Sequence, residues 1–180
     1  MPLTVTPGGA ADDALVELDA FKSYCDARGY AYGDDDTVIE QAIRRGTVWV
    51  EGVGAESGLV KSRWPGKKAS ATQRRAWPRS GATDVDGLSI DDATIPFAVQ
   101  DAVCEAAFYD IANPGILHKA ITPSDVVKSE SVGGDGVKVT YQDGVDHNSA
   151  RAMLSVVSDL LSGILVTQST GPKVFMTSLG

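Results

Sequence analysis

The residues of this chain whose types and spacing could do chemistry fall into five groups. Asp34, Asp35 and Asp36 place three carboxylates in a row, as in a divalent-cation site, but no further ligands follow at metal-loop spacing. They precede a helical pattern, so the simpler role is a helix N-terminus, with Asp36 as the capping residue and its neighbours favoured by the helix dipole. Asp84, Asp86 and Gly87 share part of a calcium-loop spacing without its carboxylate series or closing Glu, and fit a turn built on Asp-Gly. His118 and His147 stand in loop-like stretches with no Cys or His at zinc spacing. Gly133-Gly134-Asp135-Gly136 is glycine-rich, yet no helix or lysine pattern follows to make a phosphate cradle, and it reads as a hairpin tip.

The fifth group is the most distinctive. Residues 61–81, KSRWPGKKASATQRRAWPRSG, carry seven cations, no acid and two Trp-Pro steps. Arg63, Lys67, Lys68, Arg74, Arg75 and Arg79, together with Trp64 and Trp77, could neutralise phosphates and stack on bases. The same residue types are enriched at protein interfaces, where the cations would meet acidic neighbours. A third possibility is a solvated loop whose Trp rings fold onto their own domain. The flanks weigh among these. Residues 1–60 hold eleven acids against four bases, and residues 82–180 hold thirteen against five. Such flanks repel a polyanion and attract the basic segment, so the charge pattern favours assembly with protein over nucleic acid. A chain of net charge −8 is also unlike most proteins that simply coat nucleic acid.

The elements that must position this segment follow from periodicity. Apolar positions recur at three and four over 17–28, where Gly29 suits a left-handed stop, and again over 37–53, with Glu40 spaced to pair with Arg44. A third helix runs from about Ile95-Pro96 to Ile111. Its Ala98, Ala102, Ala106 and Ala107 permit close packing, and Asn113-Pro114-Gly115 ends it. Residues 149–164 form a fourth helix. Ala14-Leu15-Val16 suits a short strand, and the alternation in 126–141 predicts a β-hairpin. The fold expected is mainly α: a small helical bundle with a hairpin, an extended leader over 1–13, a body over 14–165 and a C-terminal tail over 166–180. Cys25 and Cys104 read as buried hydrophobes in a reducing compartment. No apolar run approaches membrane length and no signal-peptide pattern is visible, so an intracellular setting without a membrane partner is expected. No catalytic constellation, cofactor site or metal site emerges, so the expectation is that the protein is not an enzyme.

The order of these features carries a resemblance. Tyr24-Cys25-Asp26-Ala27-Arg28-Gly29 closes one helix and Ile43-Arg44-Arg45 marks the next. Gln73 and Ala76-Trp77-Pro78-Arg79-Ser80-Gly81 follow, then Asp86-Gly87, the Ile95-Pro96 helix, and Lys128-Ser129-Glu130-Ser131-Val132-Gly133 with Val137, Val139, Thr140 and Tyr141. Over residues 14–165 this resembles the head–tail connector (adaptor, or head-completion) proteins of tailed bacteriophages, a family often labelled DnaT-like single-stranded-DNA-binding proteins. The resemblance implies a non-catalytic virion subunit, assembled in the host cytoplasm into a ring typically of twelve copies at the neck. Its partners would be other copies, the portal, a downstream neck or tail protein, and double-stranded DNA passing through the lumen. The family label implies the rival function, single-stranded-DNA binding in replication.

Overall fold

The computed structural model describes residues 2–54, 62–118, 127–133, 136–141 and 155–166. Its helices are α1 (Leu18–Arg28), α2 (Asp36–Gly54), α3 (Phe97–Ala112) and α4 (Ser155–Leu161), with a short 3₁₀ turn at Ile116–His118. Strands β1 (Lys67–Lys68) and β2 (Arg79–Ser80) form one small antiparallel ladder, and β3 (Val127–Gly133) and β4 (Gly136–Tyr141) form another. The fold is mainly α with a small hairpin, as the periodicity anticipates. In the hairpin Gly133 pairs with Gly136 and Val127 with Tyr141, with a register irregularity between Val127 and Ser129.

Helix α3 is the centre of the core. Val99, Ala102, Val103, Cys104, Glu105, Ala106, Ala107 and Asp110 are all buried, more than one helix face can hold. A helix buried on most sides must be covered on most sides, and α1, α2 and α4 all pack against it. The α2–α3 pair is the closest. A Cβ on Gly46 would lie 3.0 Å from the Ala107 nitrogen and 3.1 Å from the Val103 oxygen. The small residues expected to allow close packing do so here, and Gly46 is their counterpart on α2. Ile39, Ile43 and Val50 fill the rest of the contact face and are fully buried.

Local chemistry sets the helix ends. The αL residue at the end of α1 is Gly29, at φ 68°. Its N–H donates to the Asp26 carbonyl and that of Tyr30 to Cys25, which satisfies two terminal carbonyls. The chain then turns back: Tyr32 meets Phe21 edge-on and Tyr30 stacks on Phe108 at 4.3 Å. Helix α2 is capped one residue earlier than expected. Asp35, not Asp36, accepts the N–H groups of Thr37 and Val38, and Asp36 instead pairs with Lys22 at 2.6 Å. The Glu40–Arg44 pair forms at 3.5 Å. Pro96 precedes α3 as its N-cap. The Asp-Gly turn forms as anticipated: the Asp84 carboxylate accepts the Asp86 and Leu88 N–H groups, with Gly87 at φ 83°.

One expectation needs correction. Ala14-Leu15-Val16 is not a strand. No strand among the described residues pairs with it; the Leu15 N–H donates instead to the Thr47 hydroxyl, and all three side chains plug the core. The leader packs against the body, as the next section shows. For the fourth helix, residues 149–154 lie outside the described residues. Within α4, Val157 and Leu161 face α3, whereas Val156 is exposed.

The α2–α3 contact yields a test. Gly46→Val should destabilise the fold by about 1–3 kcal/mol, because the backbone of α3, not a flexible side chain, blocks the added carbons. Urea denaturation of the variant against the unmodified chain measures it; a stability within about 0.5 kcal/mol of the parent would contradict the packing described.

Candidate functional site

The basic loop has little regular structure of its own: a two-residue ladder, Lys67 opposite Ser80 and Lys68 opposite Arg79. A segment so poor in ladders must find other partners for its buried backbone groups, and its side chains supply them. Gln73 is buried. Its carbonyl accepts the Ser70 N–H, and its amide donates to the carbonyls of Arg75 and Pro78, at 2.8–3.0 Å. Arg79 is buried too, and its guanidinium donates to the carbonyls of Pro65, Gly66 and Ala76 at 2.6, 2.9 and 3.2 Å. Burial lowers its pKa from the ordinary arginine value. At the ladder's corner Gly66 sits at φ 62°, where a Cβ would overlap the backbone at Ser80–Ala82.

The loop is also bolted to the body. Glu51, in the last turn of α2, accepts the Ala76 N–H at 2.6 Å and pairs with Arg75 at 3.2 Å. Arg75 donates in addition to the Asp12 carbonyl. Trp64 donates its indole N–H to the Glu51 carbonyl and lies where a side chain on Gly54 would stand. Trp77 is fully buried and meets Trp64 edge-on at 5.9 Å, and the Trp77-Pro78 bond is cis.

The leader closes the other side. The Asp12 carboxylate, buried, accepts the N–H groups of Thr6 and Gly9. Gly9 accepts the Arg74 N–H, and Gly8 lies against Pro78. Asp13 pairs with both Arg44 and Arg74. Residues 2–13 form no helix or strand and pack as a cover over the loop.

The eight residues singled out from sequence divide in two. Trp64, Trp77, Arg75 and Arg79 were expected to touch DNA or a partner. All four are instead buried within their own subunit, where no base can reach the rings and the guanidinia are already engaged. The other four, Arg63, Lys67, Lys68 and Arg74, are exposed. Arg74 shares Asp13 with Arg44, and Lys68 donates to the Gln73 carbonyl. Arg63 and Lys67 make no side-chain hydrogen bond or ion pair among the described residues. Sequence reasoning missed the acids that hold the loop, Asp12, Asp13 and Glu51. One signal was present for Glu51: an acid near a helix C-terminus opposes the dipole and so calls for a compensating partner.

Other candidate groups are structural. No cluster of His, Cys, Asp and Glu among the described residues could hold a metal ion. Cys25 and Cys104 are buried free thiols, and burial pushes Cys25 up to about 11. Glu105 is held by the hydroxyls of Tyr24 and Tyr30, with Arg28 at 3.9 Å and stacked over the Tyr24 ring. Asp110, fully buried, is neutralised by Arg45 at 2.6 Å and accepts the Gly115 N–H. His118 and His147 and the glycine-rich hairpin tip offer no described side-chain geometry.

Two predictions follow from the loop. Arg79→Lys should cost about 2 kcal/mol, since a single ammonium cannot reach three carbonyls set out for a planar fork; an unchanged thermal midpoint would refute the role given to Arg79. The second concerns pH. Burial raises the Glu51 pKa above its ordinary 4.5, against the opposing pull of the Ala76 N–H and Arg75. A carboxyl that binds its proton more readily folded than unfolded gives stability that falls as pH rises through the window above 4.5. The stability of the parent relative to Glu51→Gln should therefore grow as pH is lowered from 7 toward 4.5, as read by urea denaturation. A difference that shrinks over that range would reverse the sign argued here.

A family model described as "Putative DnaT-like ssDNA binding protein" matches residues 1–178. No curated protein and no solved structure matches the chain. With nearly its whole length covered, the chain belongs to this DnaT-like family.

Proposed function

We propose that this chain is a structural subunit of a protein assembly, in the form of the head–tail connector of a tailed bacteriophage. The observation that carries the assembly reading is the internal use of the basic loop. Single-strand binding draws on accessible rings for stacking and on free cations along a groove. Here both Trp rings of the loop are buried and two of its arginines are committed to carbonyls and to Glu51. The chain is net −8, which opposes a polyanion at long range. Exposed apolar side chains add support. Phe97 is 84% exposed, Leu88 67% and Val85 64%; an exposed aromatic at a helix start is the kind of residue that anchors protein contacts. The β3–β4 ribbon also invites a partner, because two strands alone are marginal in water. The connector form of the reading rests on the sequence resemblance.

The second reading is single-stranded-DNA binding, and taken alone the family description favours it. Arg63, Lys67, Lys68 and Arg74, exposed on one loop, are the side chains that would serve it.

One experiment separates the two. The full chain is examined by sedimentation and electron microscopy, alone and with a purified portal, and titrated with labelled oligo-dT at two salt concentrations. Assembly into rings, or onto the portal, with oligo-dT affinity no tighter than about 10 µM at physiological salt is the expected result. Sub-micromolar oligo-dT binding that collapses with salt, from a chain that never assembles, would overturn the assembly reading in favour of the second.

A further inference from the structure

Residues 80–118 contain no Lys and no Arg, and the acids Asp84, Asp86, Asp91 and Asp92 crowd one short stretch of them. None of the four makes an ion pair among the described residues. Large apolar side chains stand in water in the same stretch. Val85 and Leu88 are exposed between the acids, and Phe97 is exposed just beyond them.

The backbone that carries them is fastened. The Asp84 carboxylate accepts the Asp86 and Leu88 N–H groups, and Thr83 bridges Ser89. The Ile90 N–H donates to the Ala82 carbonyl, and the Val85 N–H donates to the Gly163 carbonyl just past α4. Asp91 closes the next turn by accepting the Ala93 N–H. Asp84 and Asp91 therefore serve the loop itself. The Asp86 and Asp92 carboxylates accept no hydrogen bond among the described residues. A loop held this way cannot fold its apolar side chains inward, so only a partner can take them out of water.

We infer that Val85, Leu88 and Phe97, with Asp86 and Asp92, form a docking surface for a basic segment of a different protein, one that carries apolar side chains among its Lys and Arg. Charge complementarity selects the occupant. Carboxylates with no cation in their stretch of chain repel nucleic acid and attract Lys and Arg. The apolar side chains supply contacts that exclude water, and the acids supply the polar rim. A second copy of this chain fits less well. Its unmatched cations, Arg63 and Lys67, stand on a loop whose Trp64 and Trp77 are buried, so that loop offers charge without large apolar side chains. The inference rests on the assembly reading above, and adds which face meets a foreign protein and what chemistry that protein presents.

The test titrates the full chain with a fluorescent amphipathic peptide built only of Leu and Lys, at physiological salt. Leu88→Ser with Phe97→Ser removes the apolar contacts at constant charge. Asp86→Lys with Asp92→Lys reverses the rim. Glu17→Lys with Asp34→Lys makes the same change of charge elsewhere. All six positions are exposed, so each variant should fold, as circular dichroism can verify. The parent should bind the peptide. The first two pairs should each weaken binding at least about tenfold, and the third should leave it within about twofold. A parent that does not bind overturns the inference. So does an apolar pair that binds like the parent, or a third pair that loses as much as the second, since either reduces the binding to unspecific charge. A peptide of residues 167–180 that binds more tightly than the Leu-Lys probe makes the chain's own tail the occupant and overturns it as well. Self-association that the first pair abolishes does the same in favour of a second copy. Rings or portal binding that persist beside any of these failures leave the assembly reading standing.

Discussion

The structure depends on one constraint. A long irregular segment packed against a helical body has only a two-residue ladder to satisfy its backbone, so buried side chains must do the rest. Gln73 and Arg79 close the loop on itself, taking up the carbonyls of Pro65, Gly66, Arg75, Ala76 and Pro78. Glu51 then ties the loop to α2 through a charged pair and a backbone N–H. An unmade bond in such a setting costs the full desolvation of the group, so each of these residues is hard to replace. The basic character of the sequence here is in good part the cost of folding a loop without secondary structure.

This changes what the charge pattern means. Seven cations between two acidic flanks suggest one binding strap, but the strap is divided. Arg75 and Arg79 belong to the interior, Arg74 and Lys68 to the loop's own edges, and only Arg63 and Lys67 among the described cations of the loop stand unmatched. The acidic flanks are likewise divided. Asp12, Asp13 and Glu51 are the counter-charges and acceptors the loop uses at home, Asp110 and Glu105 serve the core, and Glu17 and Asp19 are left at the surface. The loop's charges are balanced first within the subunit.

Much of the fold was legible in the sequence because it follows from short-range rules. The stripe ending at Arg28 with Gly29 after it, the Glu40–Arg44 spacing, the alanines of α3, the Asp84–Gly87 turn and the alternation of the hairpin each encode their own geometry. What was not legible depends on contacts distant in sequence. Leu15 bonds Thr47 instead of a strand, and Asp12 and Asp13 reach residues sixty positions on. Trp64 and Trp77 carry no local sign of whether their faces are free. Their burial follows from Gly54 leaving room on α2 and from each ring meeting the other. The segment's tryptophans, read as a surface, belong to the interior.

The central claim is that the loop's tryptophans belong to the core. The sequence contains three tryptophans, and Trp49, Trp64 and Trp77 are all at most 4% exposed, so the intrinsic fluorescence of the whole chain reports on them directly. The measurement is acrylamide quenching with and without oligo-dT. The account predicts blue-shifted emission, weak quenching and no change when the oligonucleotide is added. Strongly quenched, red-shifted emission in the free protein, or emission that oligo-dT itself quenches by stacking, would contradict it.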